Sequence, residues 1–272
     1  MKSLPRISIV TPSFNQGRYI KETLDSVFDQ RYPDLEYVLM DGGSSDETLD
    51  VVEPYISRFS YFQTAPDGGQ SAAIACGFEK TTGEIMAYLN SDDVLLPGAL
   101  NYVVQFFEKN PDVDVIYSHR CIIDADGTVK GHWVLPPHSS FLMRRWDLIP
   151  QETCFWRRRI FEREGNIDPS YRFAMDYDLF VRFMRSGKFM RVNRFLAAFR
   201  MHDDAKTTTQ LASVGLEEIR RVYVRYDIKP VKYLGELFQS SVRTRSANFA
   251  VSGRSYPGLP PGIGFKLGEL WG

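Results

Sequence analysis

The stretch GEIMAYLNSDDVLLPGAL (Gly83–Leu100) carries an apolar run into two adjacent carboxylates, Asp92 and Asp93, and then resumes as an apolar, helix-like pattern. Its first part, GEIMAYLNS (Gly83–Ser91), reads as a major strand. Neighbouring carboxylates repel, and burying either one unpaired costs several kcal/mol, so the pair calls for a cation, hydrogen-bond donors or open water. Upstream, RISIVT (Arg6–Thr11) and LEYVLMD (Leu35–Asp41) read as two further strands. Between the strands lie apolar residues at helical spacing: Ile20, Leu24, Val27 and Phe28 in one segment, Ala72, Ala75 and Phe78 in another. This alternation predicts a Rossmann-like α/β sheet with crossover helices over residues 1–110. Right-handed crossovers bring the strand ends to one edge, where open α/β sheets bind ligands.

Composition sets the bounds. A chain of 272 residues can bury roughly three quarters of its unfolded surface, so a stable core forms without staples. With 43% hydrophobic and 25% charged residues and a formal net charge of -1, it is an ordinary globular chain with no global pull toward nucleic acid. Its three cysteines, Cys76, Cys121 and Cys154, stand in no metal-ligand spacing and read as small buried hydrophobes in a reducing compartment. No signal peptide or bilayer-spanning run is legible, which makes a cytoplasmic location, at the inner face of the membrane if the chain attaches there, the expectation.

DVDVIYSHRCIIDADGTVKGHWV (Asp112–Val134) reads as a strand and hairpin through DADG, and MDYDLFVRFMRSG (Met175–Gly187) as a helix stopped by Gly187. Two more helical stretches are expected at about Gln210–Tyr226 and Val231–Phe249, before an irregular Gly/Pro-rich tail.

Polar clusters follow the predicted strands: TPSFN (Thr11–Asn15), DGGSSDET (Asp41–Thr48), PDGGQSAA (Pro66–Ala73) and NSDD (Asn90–Asp93). Glycines permit close backbone approach to a ligand, and Ser45 or Asp46 can cap a helix whose N-terminus favours anions, which suits a nucleoside diphosphate. Taken alone, DGGSSDET is also an ordinary turn and cap. Asp92 and Asp93, with Asp41 and Asp67 on the same edge, form an oxygen-rich set suited to a hard divalent cation.

The order VTPSFNQGRYIKETLDSVFDQ, LEYVLMDGGSSDET and PDGGQSAAIACGFEKTTGEIMAYLNSDDVLLPGAL resembles the family 2 glycosyltransferases of the GT-A fold, over the chain to about Thr207. The resemblance implies a mixed sheet flanked by helices in residues 1–207, with a nucleotide-binding half (1–110) and an acceptor half (111–207), followed by a helical C-terminal extension and tail (208–272). It implies inverting, hexosyl-type transfer of a sugar from a nucleotide sugar to a hydroxyl of a saccharide or lipid-linked saccharide, in surface polysaccharide or glycan biosynthesis. Carried onto this sequence, Thr11, Pro12, Ser13, Phe14 and Asn15 line the nucleotide pocket, Asp41 with Gly42 meets the base, and Asp67 and Gln70 lie near base and ribose. Asn90, Ser91 and Asp92 face the ribose or donor sugar, while Asp93 holds Mg²⁺ or Mn²⁺. The family pattern is Asp-x-Asp and this chain has NSDD, so both carboxylates stand as metal candidates.

In the second half, the resemblance makes Asp176 the general base, with Met175 where the family carries another acid. Asp178, two residues on, reads as a first-turn carboxylate complementing the helix dipole. His202 is implied to complete the metal site or touch the diphosphate, against the plainer reading of a surface histidine. Gln151 and Glu152 are implied to bind acceptor hydroxyls and Trp156 to stack on a pyranose, against core packing for Trp156. Residues 219–272 hold nine Lys/Arg against three acids, a net of +6, interleaved with Tyr223, Tyr226 and Phe238. That segment suits peripheral contact with anionic lipid, or a solvated face or dimer contact. The rival functions are a sugar-1-phosphate nucleotidyltransferase, for which the expected Gly-rich loop is poorly matched, and a non-catalytic sugar-nucleotide scaffold.

Overall fold

A computed structural model describes residues 4–146, 148–203, 205, 209, 211–252 and 263–267. The expected domain boundary at Thr207 and most of the Gly/Pro-rich tail lie outside the described residues. One mixed sheet organises the chain. Its strands are β1 (Ile7–Ser13), β2 (Leu35–Asp41), β3 (Tyr61–Thr64), β4 (Ile85–Tyr88), β5 (Val94–Leu95), β6 (Val115–Ile123), β7 (Val129–Trp133), β8 (Phe155–Arg157) and β9 (Phe189–Arg200). Their order is β3-β2-β1-β4-β8-β6-β9-β5, with β7 paired to the outer part of β6. β3, β2, β1 and β4 run parallel, as crossover helices demand. β8 then pairs antiparallel with both β4 and β6, so the nucleotide and acceptor halves share one sheet.

The expected strand Gly83–Ser91 is shorter in the fold: β4 ends at Tyr88, because Leu89 still bonds to Val10 while Asn90 begins the turn that aims the carboxylates. The DADG hairpin forms as expected between β6 and β7.

Period-2 alternation within the buried strands divides two apolar layers. Ile7, Ile9, Tyr37, Leu39, Ile85 and Ala87 face one layer, where Ile20, Leu24, Val27 and Phe28 of α1 (Gly17–Phe28) join α4 (Ala99–Lys109). Val10, Val38, Met40, Met86 and Tyr88 face the other, against α3 (Gln70–Glu79) and α7 (Met175–Phe183). Short helices α2 (Thr48–Val52), α5 (Ser140–Met143) and α6 (Arg158–Glu164) fill the connections. The two expected C-terminal helices are α8 (Leu216–Arg225) and α9 (Lys232–Ser252), packed on the second layer through Val222, Phe238 and Val242. Part of the tail departs from the expectation of irregularity: Lys266 bridges Thr128, Phe265 O accepts from Val129 N at 2.9 Å, and Leu267 is fully buried. Cys121 and Cys154 are buried, Cys76 is half-buried, and all three thiols are free.

Candidate active site

At the C-terminal edge of the parallel strands lies a cavity of about 1190 Å³. Strand ends turn there because each polar cluster satisfies its own backbone. Asp46 accepts from Gly17 N at 3.0 Å and Thr48 N at 3.0 Å, linking the entrances of α1 and α2. Gly42 stands where an added Cβ would come within 3.2 Å of the Asp67 carboxylate, so the β2 turn and the Asp67 loop touch through a bare backbone. Pro12, Ser13, Phe14, Gly42, Asp67 and Gln70 line the cavity, and Phe14 is 59% exposed, as a ring offered to a ligand would be.

Asn90, Ser91, Asp92 and Asp93 share the same wall. Asp93 is 1% exposed; Oδ1 accepts from Arg200 N at 3.0 Å and Oδ2 has Asn90 Nδ2 at 3.5 Å. Burial, then the neighbouring Asp92 and Glu152, pushes its pKa well above the ordinary carboxylate value. Asp92 points its Oδ2 at His202 Nε2, 3.0 Å away, and the His202 ring leans on Tyr19 at 4.6 Å. Arg200, 1% exposed, donates from Nε to Asp92 O at 2.8 Å and from Nη2 to Glu22 at 2.6 Å, holding the turn rigidly. Gln70 and Gln151 frame the turn: Gln70 Nε2 donates to Asn90 Oδ1 at 2.7 Å, and Gln151 Nε2 to Tyr88 O at 2.7 Å.

Across the same cavity stand Glu152, Arg120 and Asp176. Arg120 donates twice to Glu152, both at 2.7 Å, a bidentate pair that keeps the Glu152 charge matched. Asp176 sits in the first turn of α7, and burial pushes its pKa up to about 6 against the Tyr177 N–H that it accepts at 2.8 Å. A carboxyl with that pKa is mostly ionised at neutral pH and more basic than an ordinary aspartate, the balance that suits a general base. The turn carrying it is braced from α8: Glu218, 6% exposed, accepts from Arg172 N, Phe173 N and Ala174 N at 2.8, 2.8 and 2.9 Å.

Asp178 is structural for a different reason than its place in the first turn. It is fully buried and bonded to Arg182 at 2.9 Å and Tyr226 Oη at 2.8 Å, which clamps α7 to the end of α8.

Several expected site residues sit elsewhere. Trp156 is a correction: it is fully buried among Phe78, Tyr88 and Phe183, so it packs the core and offers no face to a sugar. Thr11 is buried against Tyr37 Oη at 2.9 Å, off the cavity wall. Asp41, 2% exposed, accepts from Gly43 N, Ser44 N, Ser44 Oγ and Thr64 Oγ1, so its oxygens organise the β2 turn. Asn15 spends its side-chain oxygen on Ser45 N at 2.9 Å. Residues that the sequence does not mark for this site are Arg120, Trp133, Phe199 and Arg200, together with Ile219, Phe238 and Val242 of the C-terminal segment, which reads in the sequence only as a surface. Long-range folding alone brings these to the site, the first three from β6, β7 and β9.

Among the described residues, no group of three or more His, Cys, Asp or Glu side chains converges to hold a metal ion by itself. The buried, poorly matched Asp93 beside Asp92 nevertheless fits a hard cation that takes its other ligands from phosphate and water, the usual manner of Mg²⁺ at nucleotides.

The description Glycosyl transferase family 2 belongs to a family model that matches residues 8–168. An uncharacterised glycosyltransferase of Rickettsia prowazekii is 28% identical over 226 residues, covering 79% of this chain and 69% of that protein. The hyaluronan synthase of Pasteurella multocida is 24% identical over 217 residues, covering 79% of this chain and 22% of that one. Among solved structures, S. aureus TarS 1-349 in complex with UDP-GlcNAc superposes with a TM-score of 0.63 at 18% identity, over 80% of this chain and 66% of that one. That likeness settles the architecture as the GT-A fold, and the sheet order and strand-end cavity agree with it. With the match running from β1 through α6 and across the whole nucleotide edge, this chain belongs to glycosyl transferase family 2.

Proposed function

We propose that this protein is a metal-dependent, inverting hexosyltransferase that moves a sugar from a nucleoside diphosphate sugar to a hydroxyl of a saccharide acceptor. One observation carries the reading: a carboxyl poised to ionise near neutrality, Asp176, shares a single cavity with the buried Asp93 and the half-buried Asp92 at the nucleotide edge. The donor's base and ribose fit between Phe14, Asp67 and Gln70, with the diphosphate toward Asp92 and Asp93. Mg²⁺ or Mn²⁺ at Asp93 and Asp92 would supply Lewis-acid stabilisation of the departing diphosphate. Asp176 accepts the proton of the acceptor hydroxyl as its oxygen bonds to the anomeric carbon; the glycosidic electron pair leaves with the diphosphate. A single displacement of this kind inverts the anomeric centre. His202 steadies the Asp92 carboxylate, and Gln151 with the Arg120–Glu152 pair sets hydrogen bonds around the transferred sugar.

Polysaccharide assembly is the setting supported by likeness to the hyaluronan synthase, although this chain spans only 22% of that protein. Contact with an anionic membrane, and with it a lipid-linked acceptor, is supported by the basic C-terminal segment and by Val224, Tyr233 and Leu237, which are 83%, 75% and 65% exposed. Among the described residues no helix is long and apolar enough to cross a membrane. Flotation of the full chain with phosphatidylglycerol vesicles at low salt tests the contact, and a protein left in the bottom fraction would remove it.

The decisive experiment on the function combines a thermal-shift panel of UDP, GDP, dTDP and CMP, with and without Mn²⁺, with turnover of the matching nucleotide sugar. Metal-dependent stabilisation by one nucleoside diphosphate, with turnover abolished in Asp176→Asn while that stabilisation persists, is the expected result. Binding without turnover in the wild type, against saccharide acceptors of every class tried, would favour a non-catalytic scaffold.

A further inference from the structure

At about 1190 Å³ the cavity exceeds the roughly 300–1,000 Å³ of ordinary small-molecule sites, and its wall away from the ends of the parallel strands carries an aromatic side chain that the proposed donor contacts do not use. Trp133, at the end of β7, lines the cavity and is 40% exposed, whereas Trp156 is fully enclosed. Its position is built. Trp133 is the direct cross-strand partner of Arg120 on β6, and the Arg120 guanidinium lies 4.9 Å from the Trp133 ring centroid and 4.5 Å from that of Phe199 on β9. The Nε/Nη2 edge of that guanidinium is held by both oxygens of Glu152, so the indole is backed by an immobilised, charge-matched group. The helix α9 is fastened beside it, Val134 N donating to Ser246 Oγ at 3.0 Å, and brings Gln239 and Arg243 to the same cavity as hydroxyl partners.

We infer that Trp133 is the stacking platform of the acceptor subsite and that the acceptor presents a pyranose ring to it. A pyranose offers an apolar C–H face and a rim of hydroxyls, which is what an exposed indole flanked by an amide and a guanidinium recognises. An extended flexible polyol chain has no such face. The Arg120–Glu152 pair is then a positioning pair: it orients the platform while Glu152 also borders the Asp93 and Asp176 carboxyls. This rests on the transferase reading only in calling the stacked sugar the acceptor.

The test titrates gluco-, galacto- and N-acetylglucosamine-based oligosaccharides into the full chain, with and without UDP and Mn²⁺, following tryptophan emission and calorimetric affinity. At least one sugar is expected to bind with a saturable emission change; Trp133→Ala should weaken it about tenfold or more and Trp133→Phe by about threefold or less. Undiminished binding in Trp133→Ala, or no binding by any pyranose oligosaccharide under either condition, overturns the inference. The UDP-dependent rise in Tm should be the same in Trp133→Ala as in the wild type; its selective loss would put the ring at the donor and also overturn the inference. If UDP and the other nucleotides have no effect even on the wild type, the transferase reading fails by itself and the saccharide titration still decides the role of Trp133.

Discussion

Asp176 is the proposed general base, and its partial burial makes two opposite demands. A base must be ionised, so kcat/KM for the acceptor should rise with pH through about 6 and level off above it. A pH–rate profile that is flat from 5 to 8, taken as an approximate window around that value, would remove Asp176 from this role. Asp176→Asn keeps the shape and deletes the ionisation, so turnover should fall by about 10²–10⁴-fold while Tm at neutral pH stays the same or rises by a few degrees. Asp93 makes a parallel case: Asp93→Ala should cancel metal-dependent stabilisation by the nucleoside diphosphate, read by thermal shift, with the fold retained. Its oxygens and those of Asp92 lie in one turn, and the chain spends a buried arginine, Arg200, on keeping that turn in place.

At the scale of elements, α8 and α7 act as one unit. Glu218 on α8 binds three successive N–H groups ahead of α7, and Tyr226 and Arg225 reach back to Asp178 from the other end of α8. The helix α8 therefore braces the turn that carries Asp176. Glu218→Ala leaves those donors without their carboxylate, so it should lower stability by about 2–4 kcal/mol and reduce kcat more than it raises donor KM; Glu218→Gln, which still accepts, should restore part of both. Equal loss in the Ala and Gln variants would mean that the charge, rather than the hydrogen-bonded geometry, is what matters. Elsewhere, α3 approaches β1 through Gly77, where a Cβ would come within 2.5 Å of Val10 Cγ1. Gly77→Ala should thus cost about 1–3 kcal/mol, measured by denaturant unfolding, by forcing the helix off the sheet.

For the molecule as a whole, Asp93 and Asp176 give a pH signature. Both pKa values are raised on folding, so the native state holds these protons more tightly than the unfolded chain. Their contribution favours the fold below the ordinary carboxylate pKa of about 4 and fades as pH rises through the raised folded values, about 6 for Asp176. A cation bound at Asp93 needs that carboxyl ionised, so the Tm increase given by a nucleoside diphosphate with Mn²⁺ should be larger at pH near 7.5 than near 5. Equal increments at the two pH values would show that the Asp93 carboxyl is not linked to the ligand.

Local pattern by itself determined a good deal: the parallel strands, their crossover helices, the DADG hairpin, both C-terminal helices and the polar turns at the strand ends. These depend on hydrophobic period and turn chemistry within a few residues, which are written in the chain order. The structure brings Asp92, Asp93 and Asp176, the carboxylates that the resemblance singles out, to one cavity, although NSDD and Met175 depart from the family's Asp-x-Asp and paired-acid patterns. Only the tertiary structure decided which of Trp133 and Trp156 faces the cavity, since both are tryptophans beside arginines or on strands, and the choice depends on how β8 is inserted between β4 and β6. It likewise assigned Asp41 to a turn, joined Arg120 to Glu152, and set Glu218 against the approach to Asp176 across 44–46 residues of chain. Such contacts join elements far apart in sequence, and their formation is settled by packing of the whole core, for which no short stretch carries a signal.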